Sequence, residues 1–447
     1  MEAPTVSRMT ADQVWPTLEK HILADGMHMV LDMKESQGVR LIDRLTQRSY
    51  LDLFTFYASN PLGMNHPKLR SDAAFLERLM DAALNKVANS DIYTTHMARF
   101  VNTFSRVGIP EYLPHAFFIS GGALAIENAM KIAFDWKVRQ NFRKGYREEK
   151  GHQIMHFEQA FHGRSGYTMS VTNTVPMKTA YFPKFDWPRV VNPKANAPLT
   201  PGNIHCIEEL ETLAVAQMKR HFLERRDDIA AILIEPIQGE GGDNHFRPQF
   251  LQTLRDLADE NDALLIFDEV QTGVGLTGTF WAHQGLGVEP DILAFGKKTQ
   301  VCGCLAGRRV DEVENNVFEL SSRINSTWGG NLVDMVRFDR ILEIIEEDQL
   351  VDNAAQVGEH LISRLHDLAD KYPDHVMNPR GQGLMCAFDL KTPELRDRVR
   401  HMAYEHGVII LGCGHAALRF RPSLAVTAAD IDEGIDVLDR VIGQVTH

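Results

Sequence analysis

The chain has 447 residues, of which 44% are hydrophobic and 24% are charged, the balance of an ordinary globular protein. This composition excludes a disordered, collagenous or coiled-coil chain, and the length suits about three domains of roughly 150 residues or one large α/β fold. The formal net charge of −13 argues against a general nucleic-acid binder, because few cations are left to neutralise a phosphate backbone. No apolar run approaches the roughly 18 residues of a membrane span.

The compartment is suggested by the N-terminus and the cysteines. The sequence MEAPTVSRMTADQVW lacks the basic start and apolar stretch of a secretory signal. Five cysteines in a long chain are typical of reduced thiols, so we expect a cytoplasmic protein. Cys302 and Cys304 form a CxC pair, which we interpret as two small residues in a tight glycine-containing loop rather than as a metal or redox site.

In chain order, residues 29–54 predict a short meander of strands, and two helices follow at 75–87 and 95–107. The middle of the chain then alternates apolar strands with helices. Strands are predicted at 115–120, 153–158, 229–237, 263–270 and 292–297, and helices at 122–139, 207–228 and 250–262. This alternation predicts an α/β fold with a mostly parallel sheet covered on both faces, and with its chemistry at the carboxyl ends of the strands.

The C-terminal part has a different pattern. A long helical region is predicted at 334–371, followed by short strands in the stretches CAFDL, GVIIL and LRFRP. A last helix begins near Thr427, which is spaced from Asp430 as in a capping box. We therefore predict an N-terminal segment (1–75), a large domain (76–335) and a small α+β C-terminal domain (336–447).

Three features that could carry chemistry each follow an apolar strand. Asp268 ends the strand LLIFD, where a carboxylate is costly unless it is paired. Lys297 follows ILAFG, and a desolvated lysine there has a lowered pKa and can form a Schiff base. The turn Gly121-Gly122-Ala123 joins a strand to a helix, so its backbone N–H groups suit a phosphate.

The glycines of GVGLTG (273–278) match the dinucleotide motif G-x-G-x-x-G and raise the alternative of a nicotinamide-dependent dehydrogenase. We reject it because Asp268 precedes the glycines and because the following residues do not open as a clean helix or a βαβ unit. An aspartate and a Schiff-base lysine about thirty residues apart, with a phosphate turn upstream, are instead what pyridoxal 5'-phosphate needs.

The sequence resembles the class III, fold-type I, pyridoxal-phosphate aminotransferases over nearly its whole length. The resemblance is carried, in order, by YLDLFTFYASNPLGMNHPKL, FHGRSGYTMSVT, EPIQGEGGDNHF, LLIFDEVQTGVGLTG, PDILAFGKK and STWGGN. Within the class, AFGKKTQVCG, INSTWGGNLVDMVR and LRFRPSL look most like the lysine 6-aminotransferases. This resemblance implies a fold-type I transferase, with a smaller α+β domain built from both ends of the chain.

The resemblance also implies the cofactor site. Lys297 would hold the cofactor covalently, Asp268 would pair with its pyridine nitrogen and Gln271 would contact its ring hydroxyl. Phe161 would stack on the ring. The other implied contacts are to the phosphate, from Gly122, Ala123 and, across a homodimer interface, Thr327. The family usually has S-G-[ST]-E-A at the phosphate turn, so this chain loses a hydroxyl contact there; lysine 6-aminotransferases resemble its Gly-Gly-Ala-Leu-Ala form.

For the substrates, the resemblance implies two arginines at different distances from the cofactor. Arg419 would bind the α-carboxylate of glutamate or 2-oxoglutarate, and Arg164 the α-carboxylate of L-lysine or the γ-carboxylate of glutamate. Glu240 would pair with Arg419 when lysine binds and move away for glutamate, because an unpaired arginine beside an apolar chain is costly.

Tyr57 occupies the position where ornithine aminotransferases carry a tyrosine that helps to hold the substrate carboxylate. A pocket distinguishes lysine from ornithine, one methylene shorter, by only about 1–3 kcal/mol. An ornithine or other ω-amine aminotransferase is therefore the alternative, and a non-catalytic descendant of such an enzyme is a further one.

Overall fold

The computed structural model describes residues 9–446, so the first eight residues of the predicted N-terminal segment lie outside the described part. The strands, in chain order, are β1 (Arg40–Ile42), β2 (Ser49–Asp52), β3 (His115–Ile119), β4 (Gln153–Phe157), β5 (Arg189–Val190), β6 (Ile229–Ile234), β7 (Ile237–Gln238), β8 (Asn244–His245), β9 (Leu264–Asp268), β10 (Ile292–Phe295), β11 (Cys302–Ala306), β12 (Val376–Gln382), β13 (Met385–Leu390), β14 (Val408–Ile409), β15 (Leu411–Cys413) and β16 (Ala417–Arg419). The helices are α1 (Val14–Leu18), α2 (Thr55–Ala58), α3 (Pro67–Arg70), α4 (Ala73–Leu84), α5 (Thr95–Val107), α6 (Gly122–Arg143), α7 (Thr168–Val171), α8 (Pro201–Glu224), α9 (Pro248–Glu260), α10 (Ala282–Leu286), α11 (Leu332–Glu347), α12 (Leu350–Lys371), α13 (Pro393–Glu405) and α14 (Ala428–Thr446).

The central sheet has seven strands in the order β3-β11-β10-β9-β6-β4-β5. Neighbours from β10 to β5 are parallel, and β11 runs antiparallel to both of its neighbours. On β9, Leu264 and Ile266 pack with α6, whereas Leu265 and Phe267 pack with α8 and α9 on the other face. The sheet is therefore buried on both sides, which explains its uninterrupted apolar strands and confirms the predicted α/β class.

Both ends of the chain contribute to two smaller sheets. β14 pairs in parallel with β2, which is antiparallel to β1, so an N-terminal hairpin is joined to a C-terminal strand. β12, β13, β16 and β15 form an antiparallel four-stranded sheet. The proposed division at residues 75 and 335 stays a prediction, and α11 crosses its second boundary. Within residues 9–446, no helix is long and apolar enough to cross a bilayer.

Local details confirm some predictions and correct others. The capping box before α14 forms, since the backbone N–H of Asp430 donates to Thr427 Oγ1 at 3.2 Å. The predicted 334–371 helical region is two helices, because Gln349 between α11 and α12 has a left-handed backbone with φ of 52°.

The interpretation of the CxC pair as a loop was wrong. Cys302 and Cys304 belong to β11, an internal strand of the central sheet, and both are buried. The glycine between them permits this close packing, since a Cβ on Gly303 would lie 2.1 Å from the carbonyl oxygen of Phe117 on β3. Small side chains here serve strand packing, and residues 9–446 contain no group of three or more potential ligands that could hold a metal ion.

Candidate active site

The chemistry-bearing residues meet at one edge of the central sheet. β9 ends at Asp268, and β10 is followed by Gly296 and Lys297. β3 leads into α6, which begins at Gly122, and β6 is followed by Glu235. These strands run in the same direction, so their carboxyl ends open onto a common cavity of about 270 Å³. It is lined by Gly122, Ala123, Phe161, His162, Gly163, Glu235, Glu240, Asp268, Val270, Gln271 and Lys297.

At the floor of the cavity, Asp268 is only 5% exposed and is held by hydrogen bonds. His162 Nδ1 donates to Asp268 Oδ2 at 2.7 Å, and the backbone N–H of Val270 donates to Oδ1 at 3.0 Å. Nearby Glu235 accepts from the backbone N–H groups of Phe161 and Gly239, each at 3.0 Å. Burial raises the pKa of Glu235, with the charge of His162 opposing and that of Asp268 adding to the effect. The aspartate is thus fixed in one orientation.

The two adjacent lysines have different surroundings. Lys297 lines the cavity, and its backbone is left-handed with φ of 54°. Burial lowers its pKa to about 8, helped by the charges of Arg419 and Arg421. Lys298 is buried elsewhere and donates to the carbonyl oxygens of Gln271 at 2.7 Å and Ala58 at 3.4 Å. Lys297 therefore offers an amine to the cavity, whereas Lys298 ties together two backbone segments.

Opposite the lysine, α6 directs its N-terminal backbone N–H groups at the cavity through Gly122 and Ala123. The preceding Gly121 has φ of 104°, a conformation that favours glycine. Gly163 packs directly against this helix start, since a Cβ at this position would lie 2.5 Å from Ala123 Cβ. The unpaired amides and the helix dipole make this end suited to an anion.

Glu240, which lines the cavity, lies between two cations. Arg419 Nη2 donates to Glu240 Oε2 at 2.6 Å, and Lys178 Nζ donates to Glu240 Oε1, also at 2.6 Å. Arg419 is only 2% exposed, and its Nε and Nη1 have no hydrogen-bond partner among residues 9–446. A buried guanidinium with two unused donor groups is a ready site for a second carboxylate.

Comparison with known proteins shows the family of this chain. The sequence model of the family described as aminotransferase class-III matches residues 22–442. The chain belongs to the class III aminotransferases. It is 54% identical to the L-lysine-epsilon aminotransferase of Mycobacterium tuberculosis over 98% of this chain and 97% of the relative. It is 52% identical to the enzyme of that name from Amycolatopsis lactamdurans, over 96% and 95%. The solved lysine aminotransferase from M. tuberculosis in the internal aldimine form superposes with a TM-score of 0.96, over 98% of this chain and 100% of that one.

Class III aminotransferases use pyridoxal 5'-phosphate, and the residues of this cavity fit it. The start of α6 suits the phosphate, and the buried carboxylate of Asp268 suits a protonated pyridine nitrogen. The amine of Lys297 suits the aldehyde. Gln271 is also held in place, since its Oε1 accepts from Arg421 Nε at 2.9 Å.

Four predicted residues of this aminotransferase do not line the cavity in the single chain. Arg419 is buried and contacts the lining residue Glu240, and the other three are exposed: Tyr57, Arg164 and Thr327. Arg164 directly follows Gly163 of the cavity wall and has no ion pair within residues 9–446. Tyr57 lies in α2, which is a left-handed turn with φ of 60° at this residue. Thr327 lies in the segment before α11, where its carbonyl oxygen accepts from Ser90 Oγ at 3.2 Å.

Sequence reasoning missed two contacts of the site. His162 was overlooked although it stands between Phe161 and Gly163 in the quoted stretch FHGR. Its place after the end of β4 was the available signal. Nothing in the sequence indicated the contact of Lys178 with Glu240, because 62 residues separate the two.

Proposed function

We propose that this chain is an L-lysine 6-aminotransferase, which transfers the ε-amino group of L-lysine to 2-oxoglutarate. The products are 2-aminoadipate 6-semialdehyde, which cyclises to a piperideine carboxylate, and glutamate. The relatives at 50–54% identity over nearly the whole chain carry the name L-lysine-epsilon aminotransferase, which supports this donor over ornithine.

The observation that carries the proposal is the ion pair between Glu240 and Arg419. Lysine presents its reacting amine at the end of an apolar chain, so a bare guanidinium beside that chain would lack a partner. When Glu240 pairs with Arg419, the charge of the guanidinium is neutralised, and the apolar side chain of lysine can lie beside it. Glutamate carries a carboxylate next to its reacting amine, and this carboxylate replaces Glu240 on Arg419. Arg164, at the rim of the cavity, would take the distant carboxylate of either donor, with the Tyr57 hydroxyl beside it.

Bound pyridoxal phosphate supplies an electron-withdrawing pyridinium and an aldehyde that accepts the amino group. Lys297 Nζ would hold the cofactor at rest and move the proton at the reacting carbon, a task that suits an amine with a pKa near neutrality. Asp268 would hold the proton on the pyridine nitrogen, and Gln271 would bind the ring hydroxyl. Phe161 would cover one ring face, while Gly122 and Ala123 would bind the phosphate.

We also propose a homodimer in which Thr327 of each subunit reaches the phosphate of the other. Thr327 is exposed in the single chain and absent from its own cavity lining, as this arrangement requires. A reducing compartment, the cytoplasm, is proposed because all five cysteines are unpaired thiols.

The half-reactions test the donor. Purified enzyme is mixed with lysine, ornithine or 4-aminobutyrate without an oxo acid, and the loss of the cofactor's visible absorbance is timed. We expect lysine to react fastest and to give a cyclising semialdehyde. Faster reaction with ornithine would assign the enzyme to the alternative donor and make Tyr57 the residue to exchange.

A Glu240→Ala variant tests the switch in the same assay. Removal of the carboxylate leaves Arg419 unpaired when lysine binds, so the lysine half-reaction should slow by about tenfold or more, and the glutamate half-reaction by much less. Equal losses in both half-reactions would contradict the switch.

A further inference from the structure

Lys178 ends a short 3₁₀ turn, Pro176–Lys178. Its ammonium lies 2.6 Å from Glu240 Oε1 and 5.2 Å from the centroid of the Phe161 ring. Its side chain is 25% exposed, so the ion pair with Glu240 is partly shielded from water. Lys178 therefore lies next to two residues that line the cavity, Glu240 and Phe161.

The two oxygens of Glu240 serve different cations. Oε2 accepts from Arg419, and Oε1 accepts from Lys178. Burial raises the pKa of Glu240, but Arg419 and Lys178 together outweigh burial and lower it below the ordinary value. The carboxylate thus stays ionised, and it can lose one partner without losing the other.

This geometry matters when a substrate carboxylate occupies Arg419, the role assigned to that arginine in the proposed function. Glu240 must then leave Arg419 and, without Lys178, would become an unpaired carboxylate in a half-buried position, which is costly. While Glu240 is on Arg419, by contrast, its charge is already satisfied. Lys178 therefore stabilises the protein more when Glu240 has left Arg419 than when the two are paired, and only such a difference can shift the balance between the two arrangements.

We propose that Lys178 is a specificity-determining residue of the substrate switch: it retains Glu240 after Arg419 has released it, and so favours dicarboxylate substrates. The contact of Lys178 with Phe161 does not distinguish the arrangement in which Glu240 pairs with Arg419 from the one in which it does not. The inference rests on the proposed function only in the assumption that Arg419 binds a substrate carboxylate.

The test uses the holoenzyme and two unreactive acids of equal length. Glutarate has two carboxylates and needs Arg419, whereas pentanoate has one carboxylate and does not. Dissociation constants are measured from the change in cofactor absorbance at fixed pH. In Lys178→Met, which keeps the chain length but removes the charge, glutarate should bind about five- to tenfold more weakly and pentanoate unchanged. The KM for 2-oxoglutarate should rise by the same factor.

Two further variants separate a switch role from a structural one. Lys178→Arg keeps the charge and should restore glutarate binding. In a Glu240→Gln background, where no carboxylate is left to retain, Lys178→Met should have no effect on glutarate. Equal weakening of both acids, or a full effect in the Glu240→Gln background, would overturn the inference.

The same measurements distinguish failure of the proposed function. If lysine proves not to be the donor but the glutarate and pentanoate results hold, the donor assignment fails and the role of Lys178 stands. If wild-type enzyme binds glutarate no better than pentanoate, the role of Arg419 fails and the inference about Lys178 fails with it.

Discussion

The amine of Lys297 sits beside two arginine side chains in a half-buried cavity, and this environment controls its protonation. Burial, with the charges of Arg419 and Arg421, lowers its pKa to about 8 from 10.5. Because only the neutral amine attacks the cofactor's aldehyde, the rate of covalent attachment to apoenzyme should rise with pH, reach half its maximum near pH 8 and level off above that pH. Borohydride trapping at a series of pH values measures this. A rate that keeps rising to about pH 10.5 would show an unperturbed lysine.

His162 is the side chain that orients Asp268, through a hydrogen bond of 2.7 Å with both groups buried. We expect His162→Leu to leave that carboxylate without its partner, to weaken cofactor binding and to lower kcat by about ten- to a hundredfold. Cofactor affinity and the absorbance spectrum, followed across pH, distinguish loss of orientation from misfolding. His162→Asn, whose amide can still donate, should recover much of the loss; an unchanged spectrum in His162→Leu would exclude the positioning role.

Among the elements, the left-handed turn α2 is the most strained, since Thr55, Phe56, Tyr57 and Ala58 all have positive φ. The turn is held at its first residue, Thr55, by two hydrogen bonds. Asp52 Oδ1 accepts from the backbone N–H of Thr55 at 2.8 Å, and Thr55 Oγ1 donates to the carbonyl oxygen of Arg421 at 2.6 Å. Such strain persists only where surrounding contacts enforce it, and the turn also packs against the 3₁₀ turn Lys297–Thr299, which contains the cavity lysine.

The anchor Asp52 predicts a pH dependence for this element. Burial raises its pKa to about 6 in the folded protein, although two backbone hydrogen bonds oppose the change. A raised folded pKa means that the contribution to stability is complete below about pH 4 and is lost as the pH rises through about 6. Asp52→Asn keeps the acceptor oxygen without the charge, so its melting temperature relative to wild type should be higher at pH 8 than at pH 4. A difference that does not change with pH would contradict this account.

At the scale of the whole molecule, the proposed dimer predicts complementation between inactive variants. Lys297→Ala removes the covalent amine, and Thr327→Asp places a carboxylate against the partner's phosphate site, so each homodimer should be inactive. A mixed dimer contains one site with both wild-type residues, and random reassociation should therefore restore about a quarter of the wild-type sites. Activity is measured after co-refolding or co-expression with two tags. No recovery, despite mixed dimers, would place Thr327 and Lys297 of one chain in the same site.

The sequence by itself determined the class of fold and most of the residues that line the cavity. The order of apolar strands and helices can be predicted from short stretches of sequence, because a strand buried on both faces must be apolar throughout. Asp268, Lys297 and the Gly122 turn were found for the same reason, since each is a polar or glycine signal directly after such a strand. The family motifs added Phe161, Gln271 and Glu240, which line the same cavity.

Only the tertiary structure decided which distant residues meet. Asp268 and His162 are 106 residues apart, and the order of strands in the sheet brings β9 and β4 to one edge. The contact between Lys178 and Glu240, the strand conformation of Cys302 and Cys304, and the turning of Lys298 away from the cavity arise in the same way. Such contacts depend on packing between separate segments, and no local periodicity encodes them. The sequence thus determined which reactive groups follow each strand, and the tertiary structure determined which of those groups pair, how their pKa values shift and which of them face the cavity.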